Sequence, residues 1–260
     1  MRVMALVIRD FRRLWQSRGL LIMTVVQPAA YLLIFAVMFT RQFGDVNYQG
    51  EAIPYLMFLL PGLLALQSYQ AFHTQLSLSS GDRRWGILLM ISIAGTRSGE
   101  YVLGQAVARI LLGAAQGVII VLVGVFLMGA WPSFPVALWR IAVAGGAWLA
   151  STAFWAALGI SIGIRLLNEQ KRDVLWALFN LPVMFTSSVF YNVDQAPPVI
   201  RVLGHLNPLT HGADVLRACM FGVQRQVTWR FGTIAALAAA AIAGSLLLVQ
   251  RTPLSRRSTR

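Results

Sequence analysis

ILLGAAQGVIIVLVGVFLMGAWPSFPVALW, residues Ile110–Trp139, runs from Arg109 to Arg140 without a charged side chain. A helix rises about 1.5 Å per residue, so roughly 20 apolar residues cross the hydrocarbon layer of a bilayer. The run is long enough for one crossing, a short turn around Trp131–Pro135 and the start of another helix. Its apolar residues are continuous and do not alternate, which disfavours membrane strands.

The same pattern recurs on both sides. Gly19–Thr40 is uncharged between Arg18 and Arg41, and Ala52–Gly81 between Glu51 and Asp82. Ile141–Ile164 lies between Arg140 and Arg165, Val174–Val193 between Asp173 and Asp194, and Phe231–Gln250 between Arg230 and Arg251. Six spans are expected, at about 19–40, 54–76, 103–128, 140–164, 174–192 and 231–250. Composition agrees: 57% of the 260 residues are hydrophobic, 12% are charged, and the mean hydropathy is +0.66. A soluble domain carries about 25% charged residues, and this chain has too few to coat a soluble surface. Disorder is excluded by the opposite test, since it needs low hydrophobicity.

The net charge of +13 comes from 22 basic and 9 acidic residues. Basic residues gather at cytoplasmic membrane edges, so the charge does not call for nucleic acid. Alternate segments hold most of them: Arg2, Arg9, Arg12, Arg13 and Arg18, then Arg83, Arg84 and Arg97, then Arg165, Lys171 and Arg172, then Arg251, Arg256, Arg257 and Arg260. Both termini are therefore expected inside. The first 18 residues are too charged for a cleavable signal peptide. Met4, Val7, Ile8, Phe11, Leu14 and Trp15 recur at helical spacing opposite the arginines, which predicts an amphipathic helix over 1–18 in the cytoplasmic interface.

Residues 194–223 are too polar to span and too apolar for a solvated loop. Pro197-Pro198 opens a short apolar stretch. Asn207-Pro208 reads as an N-cap with proline at the first helical position, Asp214 and Arg217 are spaced to pair, and Gly222 ends the helix. A helical hairpin re-entering from the outer surface is expected, packed among the spans because irregular backbone at membrane depth needs protein or water around it.

Chemistry-bearing motifs are sparse. Lys171 is the only lysine and follows Gln170, so no phosphate-cradling P-loop exists. His73, His205 and His211 form no metal-binding spacing, and Cys219 is the only cysteine. No catalytic residue, cofactor or metal is expected. Small residues Gly159 and Gly163 suit close helix packing. Polar residues inside spans are expensive in hydrocarbon. Gln27, Gln67, Gln70, Thr74, Asn180, Ser187 and Ser188 either line a route for an amphiphilic substrate or bond helices to one another. No acidic residue occupies a span centre, which argues for an external energy source over ion coupling.

The cytoplasmic loop over 80–100 should hold a second inner-surface helix, with Arg83, Arg84, Trp85 and Gly86 leading into Ile87–Ile93. Three motifs then appear in order: Phe58-Leu59-Leu60-Pro61-Gly62-Leu63; the loop ending in Val102-Leu103-Gly104-Gln105; and Leu206-Asn207-Pro208-Leu209-Thr210-His211-Gly212-Ala213-Asp214-Val215-Leu216-Arg217. Together they resemble the permease subunits of type-2 ATP-binding-cassette (ABC-2) exporters. The loop departs from the usual pattern in having Arg84-Trp85 where an acidic residue is common, and Ala94-Gly95 near the usual proline.

The resemblance implies an all-α integral membrane protein with six transmembrane helices, an N-terminal amphipathic interface helix and an outer re-entrant hairpin before the last span. It implies a bacterial inner-membrane exporter in which two permease copies, a homodimer or a pseudo-symmetric heterodimer, work with two copies of a separate ABC ATPase. Arg9, Arg12, Arg13, Arg83, Arg84, Trp85 and Gly86 would couple to that ATPase. Asn207, Pro208, Asp214 and Arg217 would form the outer hairpin. Two other classes remain open: an intramembrane lipid-modifying enzyme using His211, Asp214 or His73, and an ion-coupled secondary carrier.

Overall fold

The computed structural model describes residues 2–16, 44–128, 137–222 and 227–251, with Gly19, Val26, 30–34 and Met38 from the first expected span. The amphipathic stripe forms α1 (Arg2–Gln16). Its apolar residues divide. Leu6 and Val7 are buried against the body, whereas Met4, Ile8 and Phe11 are exposed on the outer side, where an interfacial helix would meet lipid.

A short β-hairpin precedes the second span, which the all-helical expectation did not include. Strand β1 (Asp45–Tyr48) pairs antiparallel with β2 (Glu51–Pro54). The turn residues Gln49 and Gly50 both have positive φ, 54° and 94°, as a two-residue hairpin with the right-handed strand twist requires. Tyr48 and Ile53 point inward together and pack with Phe58 and Phe221.

The longer helices are α2 (Tyr55–Arg84), α4 (Ser98–Met128), α5 (Leu138–Gly163), α6 (Glu169–Thr186) and α9 (Val227–Arg251). Between α2 and α4 lies α3 (Ile87–Ile93), at the residues the loop reading indicated. Its N-terminal flank is Gly86 at φ 72°, a conformation that favours glycine. Helix α5 is the hub, packing on α2, α9, α4 and the helix over Pro208–Phe221. Gly159 and Gly163 explain the closest of these contacts. A methyl at Gly159 would strike the Phe72 carbonyl, and one at Gly163 would strike the Leu76 carbonyl and the Ser79 hydroxyl. The core between them holds Leu59, Leu63, Tyr69, Phe72, Trp155 and Leu209.

Helix α6 begins at Asn168, whose side chain accepts from Lys171 N, and stops at Thr186, short of the expected end near 192. Ser187 turns the chain into extended backbone, and the Tyr191 hydroxyl donates back to the Phe185 carbonyl. None of its residues is buried, and Val174, Leu178, Phe179 and Leu181 are exposed. Such an apolar outward face fits contact with lipid or another subunit.

Residues 198–221 form two helices, α7 (Pro198–Leu206) and α8 (Pro208–Phe221), meeting at Asn207. Asn207 caps α8 by accepting from Leu209 N, Pro208 opens it, and Gly222 ends it at φ 79°. Among the described residues, three helices are long and apolar enough to cross a membrane: Gly99–Leu127, Leu138–Gly163 and Val227–Arg251. The second and fifth expected spans fall on α2 and α6. The first falls mostly outside the described residues.

Candidate functional site

Two polar constellations stand out, one at each end of the helix packing. The first centres on Asp214, on α8. Its Oδ1 accepts from Ser188 Oγ (2.8 Å) and from Arg217 Nη1 (3.3 Å), while Oδ2 pairs with Arg230 at the start of α9. Arg217 is fully buried. It also donates from Nε to the Phe58 carbonyl (3.1 Å) and from Nη2 to the Val189 carbonyl (2.8 Å), with its guanidinium 3.7 Å from the Phe58 ring centroid. Charge-assisted bonds of this kind are the strong ones, and the planar guanidinium can serve carbonyl, carboxylate and ring at once.

This geometry gives two of the sequence motifs one physical meaning. Phe58 supplies the ring and carbonyl that receive Arg217. Gly62, one turn on, leaves the space: a methyl there would lie 2.8 Å from Arg217 Nη2 and would strike the Val189 carbonyl. The second-span motif and the hairpin motif are thus two halves of one contact. Asn207 adds a second tie, donating from Nδ2 to the Val183 carbonyl (2.7 Å) and to Thr186 Oγ1 (3.0 Å) at the end of α6. Ser188 joins this cluster, while Ser187 donates to the Met184 carbonyl (2.7 Å) and ends α6.

The second constellation ties α1 to the C-terminal end of α2. Arg9 bridges Asp10 (3.0 Å) and Asp82 (3.1 Å), and Tyr101 also donates to Asp82 (3.1 Å). With its amide oxygen turned toward Arg9, Gln105 accepts at 2.6 Å and donates to Asp10 at 2.9 Å. Burial pushes the Asp82 carboxyl above its usual range, and Arg9 and the Tyr101 hydroxyl pull it back. Burial also disfavours the Arg9 charge, but Asp82 and Asp10 outweigh it and hold Arg9 above its usual value. Arg9→Ala removes the strongest pull lowering the buried Asp82 carboxyl and the ion pair that ties α1 to α2, so α1 should detach. We expect trypsin to cleave near Arg12 about tenfold faster, the loss of one to two charge-assisted bonds; an unchanged digestion rate would contradict this docking role.

Residues nearby hold the loop. Arg83 donates to the Ile164 carbonyl and Ser80 to the Leu166 carbonyl, while Arg84 pairs with Glu169 (2.6 Å) and lies 5.4 Å from the Trp85 ring. Beyond these anchors the surface is apolar and open. Trp85 is 65% exposed and Ile93 77%, with Met90 beside them, whereas Leu88 is buried beneath. Arg12 is exposed; the Arg13 side chain lies outside the described ones.

The span residues singled out as a possible route fall mostly within one chain's packing. Gln67 donates to Gln116 on α4 (2.8 Å), and Thr74 donates to the Gln70 carbonyl (3.0 Å); beside them Ser68, which the sequence reading did not single out, meets Ser151 on α5 (2.7 Å). Asn180 is half-buried on α6, and Gln27 lies outside the described residues. His73 stacks on Trp176 (4.4 Å between centroids) and His211 meets Trp229 edge-on (5.4 Å). With Asp214 engaged by two arginines and Ser188, no nucleophile–base pair is assembled around either histidine among the described residues.

Sequence reading missed Arg230, Asp10, Asp82 and Tyr101. Arg230 carried a usable signal, since an arginine at an edge expected to lie outside runs against the positive-inside tendency and calls for a buried partner. Asp10 and Asp82 were acids within basic segments, but contact across the fold is not encoded in their spacing.

These features define a mostly helical, multi-pass membrane protein. Residues 1–221 match the ABC-2 type transporter family, and the chain belongs to it. It is similar to nodulation protein J of Sinorhizobium fredii, 26% identical over 186 residues, covering 68% of this chain and 66% of that protein. It is also similar to inner membrane transport permease YadH of Escherichia coli, 22% identical over 217 residues, covering 83% of this chain and 80% of the relative. Capsule polysaccharide export inner-membrane protein CtrC of Neisseria meningitidis is 28% identical over 123 residues, covering 46% of this chain and 45% of that protein. The chain thus spans just under two thirds of the first relative's length.

Proposed function

We propose that the chain is the transmembrane permease of an ATP-driven exporter, carrying an amphiphilic substrate (a drug, lipid or lipid-linked saccharide) outward across the inner membrane. It has six spans and cytoplasmic termini, acts as a pair, and leaves ATP hydrolysis to two copies of a separate ABC ATPase. The observation that carries this reading is the surface of α3. An exposed apolar patch held on rigid anchors, flanked by Arg84 and set at the mouth of a long helix pair, suits a protein partner. Membership of the ABC-2 family supports an ATPase as that partner.

In this account ATP binding draws the ATPases together and pushes α3. The push passes along α2, since α3 follows it after two residues, and reaches Phe58 at its far end. There Arg217 links α2 to the outer hairpin, which acts as the gate.

The test is co-purification with the ATPase from the native membrane, followed by titration of the two proteins. Ile93→Asp places a charge in the centre of the patch without touching the core. It should weaken the complex by about 30-fold, the effect of losing one interface hot spot, while leaving the permease's melting temperature unchanged. An Ile93→Asp chain that binds as tightly as the native one would overturn the assignment of α3.

A further inference from the structure

Arg140, in the first turn of α5, has no acidic partner in this chain. All 9 acidic residues are among the described ones. Asp10 and Asp82 pair with Arg9, Glu169 with Arg84, Asp173 with Arg172, Asp194 with His205, and Asp214 with Arg217 and Arg230. The remaining three, Asp45, Glu51 and Glu100, lie on the β-hairpin and at the start of α4. Residues 129–136, which precede α5, and 223–226, which follow Gly222, contain no Asp or Glu; the second segment adds Arg225.

The surroundings hold the Arg140 guanidinium in place without neutralising it. It lies across the C-terminal end of α8, where a methyl on Gly222 would meet Nη1 at 2.7 Å and Nη2 at 3.2 Å. The terminal carbonyls of a helix carry only a partial negative charge. Nε is enclosed without a hydrogen-bond partner, so its desolvation is uncompensated. No side chain caps the start of α5, whose positive end adds to the same field. Helix α5 is long and apolar enough to cross a membrane, which sets its first turn at the depth of lipid headgroups. Leu138 and Trp139 are exposed beside Arg140, with the Trp139 ring 5.5 Å from the guanidinium carbon.

We infer that Arg140, at the start of α5 beside Gly222, holds the phosphate of an anionic lipid headgroup at the membrane edge opposite α3. A guanidinium takes a phosphate through two parallel hydrogen bonds, and the full negative charge supplies what the end of α8 does not. Leu138 and Trp139 give the attached glycerol and acyl chains an apolar surface. A choline lipid carries its own cation into a place that already holds Arg140, so an anionic headgroup such as phosphatidylglycerol is favoured. This site is independent of what the chain transports and of the ATPase.

The full chain, purified in a neutral detergent, is titrated with phosphatidylglycerol and with phosphatidylcholine, and bound lipid is counted by native mass spectrometry. Tighter binding of phosphatidylglycerol is expected. Arg140→Gln should weaken it about tenfold, the loss of one charge-assisted bond. Arg140→Lys, which keeps the charge but not the fork, should fall between. Arg201→Gln, at another exposed arginine of the same end, should bind as the native chain does. Size-exclusion chromatography confirms that each variant is folded. Equal affinity for the two lipids, native binding by Arg140→Gln, or the same loss with Arg201→Gln would overturn the site. Inorganic phosphate separates the two sources of the anion. It should not displace the lipid, because it makes no contact with Leu138 or Trp139; displacement at matched concentration would overturn the lipid assignment in favour of a soluble phosphate.

Discussion

Replacing Asp214 by alanine is expected to destabilise the chain by about 3–5 kcal/mol, the range for breaking a buried ion pair from one side. The carboxylate is the shared partner of Arg217, which is fully buried, and Arg230, which is nearly so. Without it, two guanidinium charges face each other across the Ser188 hydroxyl. Arg217 would keep the Phe58 and Val189 carbonyls, but neither carries charge to offset its own. The measurement is thermal unfolding in detergent, with the folded fraction read by size-exclusion chromatography. Arg217→Met tests whether the effect arises at this contact. If the pair is one unit, the Asp214→Ala/Arg217→Met double variant loses distinctly less stability than the two single losses added together. Strict additivity would show that Asp214 and Arg217 act independently.

The second large effect is expected at Gly163. Leucine there would drive a branched side chain into the Leu76 carbonyl and Ser79, on a stretch of α2 that is buried along its length. Backbone cannot be displaced as a flexible side chain can, so α2 and α5 must separate. Overpacking of this kind costs more than about 3 kcal/mol when the obstacle is main chain. Because α5 also carries α9 and the hairpin, loss of folded protein should be nearly complete. Gly232→Leu on α9, where a methyl would meet nothing within 4 Å, serves as the comparison and should fold normally. Equal yields from the two variants would contradict the close α2–α5 approach.

The sequence was most legible where one residue type enforces one geometry. Asn207-Pro208 marked the start of α8 and Gly222 its end, because capping, a missing N–H and positive φ are local requirements. Gly159 and Gly163 announced a close helix contact, and the structure supplies its partner. The expected Asp214–Arg217 pair is formed because the two lie one helical turn apart. The β-hairpin was not legible, since four-residue strands leave too short an alternation to stand out beside a span. The end of α6 was misplaced because Val189 and Phe190 are apolar but lie past the turn at Ser187. Arg230 and Asp82 were the harder cases. Each is an ordinary membrane-edge charge in sequence, and each becomes informative only when the fold brings a partner from a distant segment.

The Arg217 contact also shows why the motifs on the second span and on the hairpin belong together. Phe58 and Gly62 would look like unremarkable apolar packing if read alone. With Arg217 between them, they tie α2 to α8 through a buried hydrogen bond and a cation–ring contact.

The most direct measurement of the central claim is ATP turnover in lipid discs containing the permease alone, the co-purifying ATPase alone, and both together. The account predicts no turnover by the permease alone, stimulation in the joint discs, and loss of that stimulation with Ile93→Asp. Nucleotide hydrolysis by the permease alone, or full stimulation with Ile93→Asp in place, would contradict it.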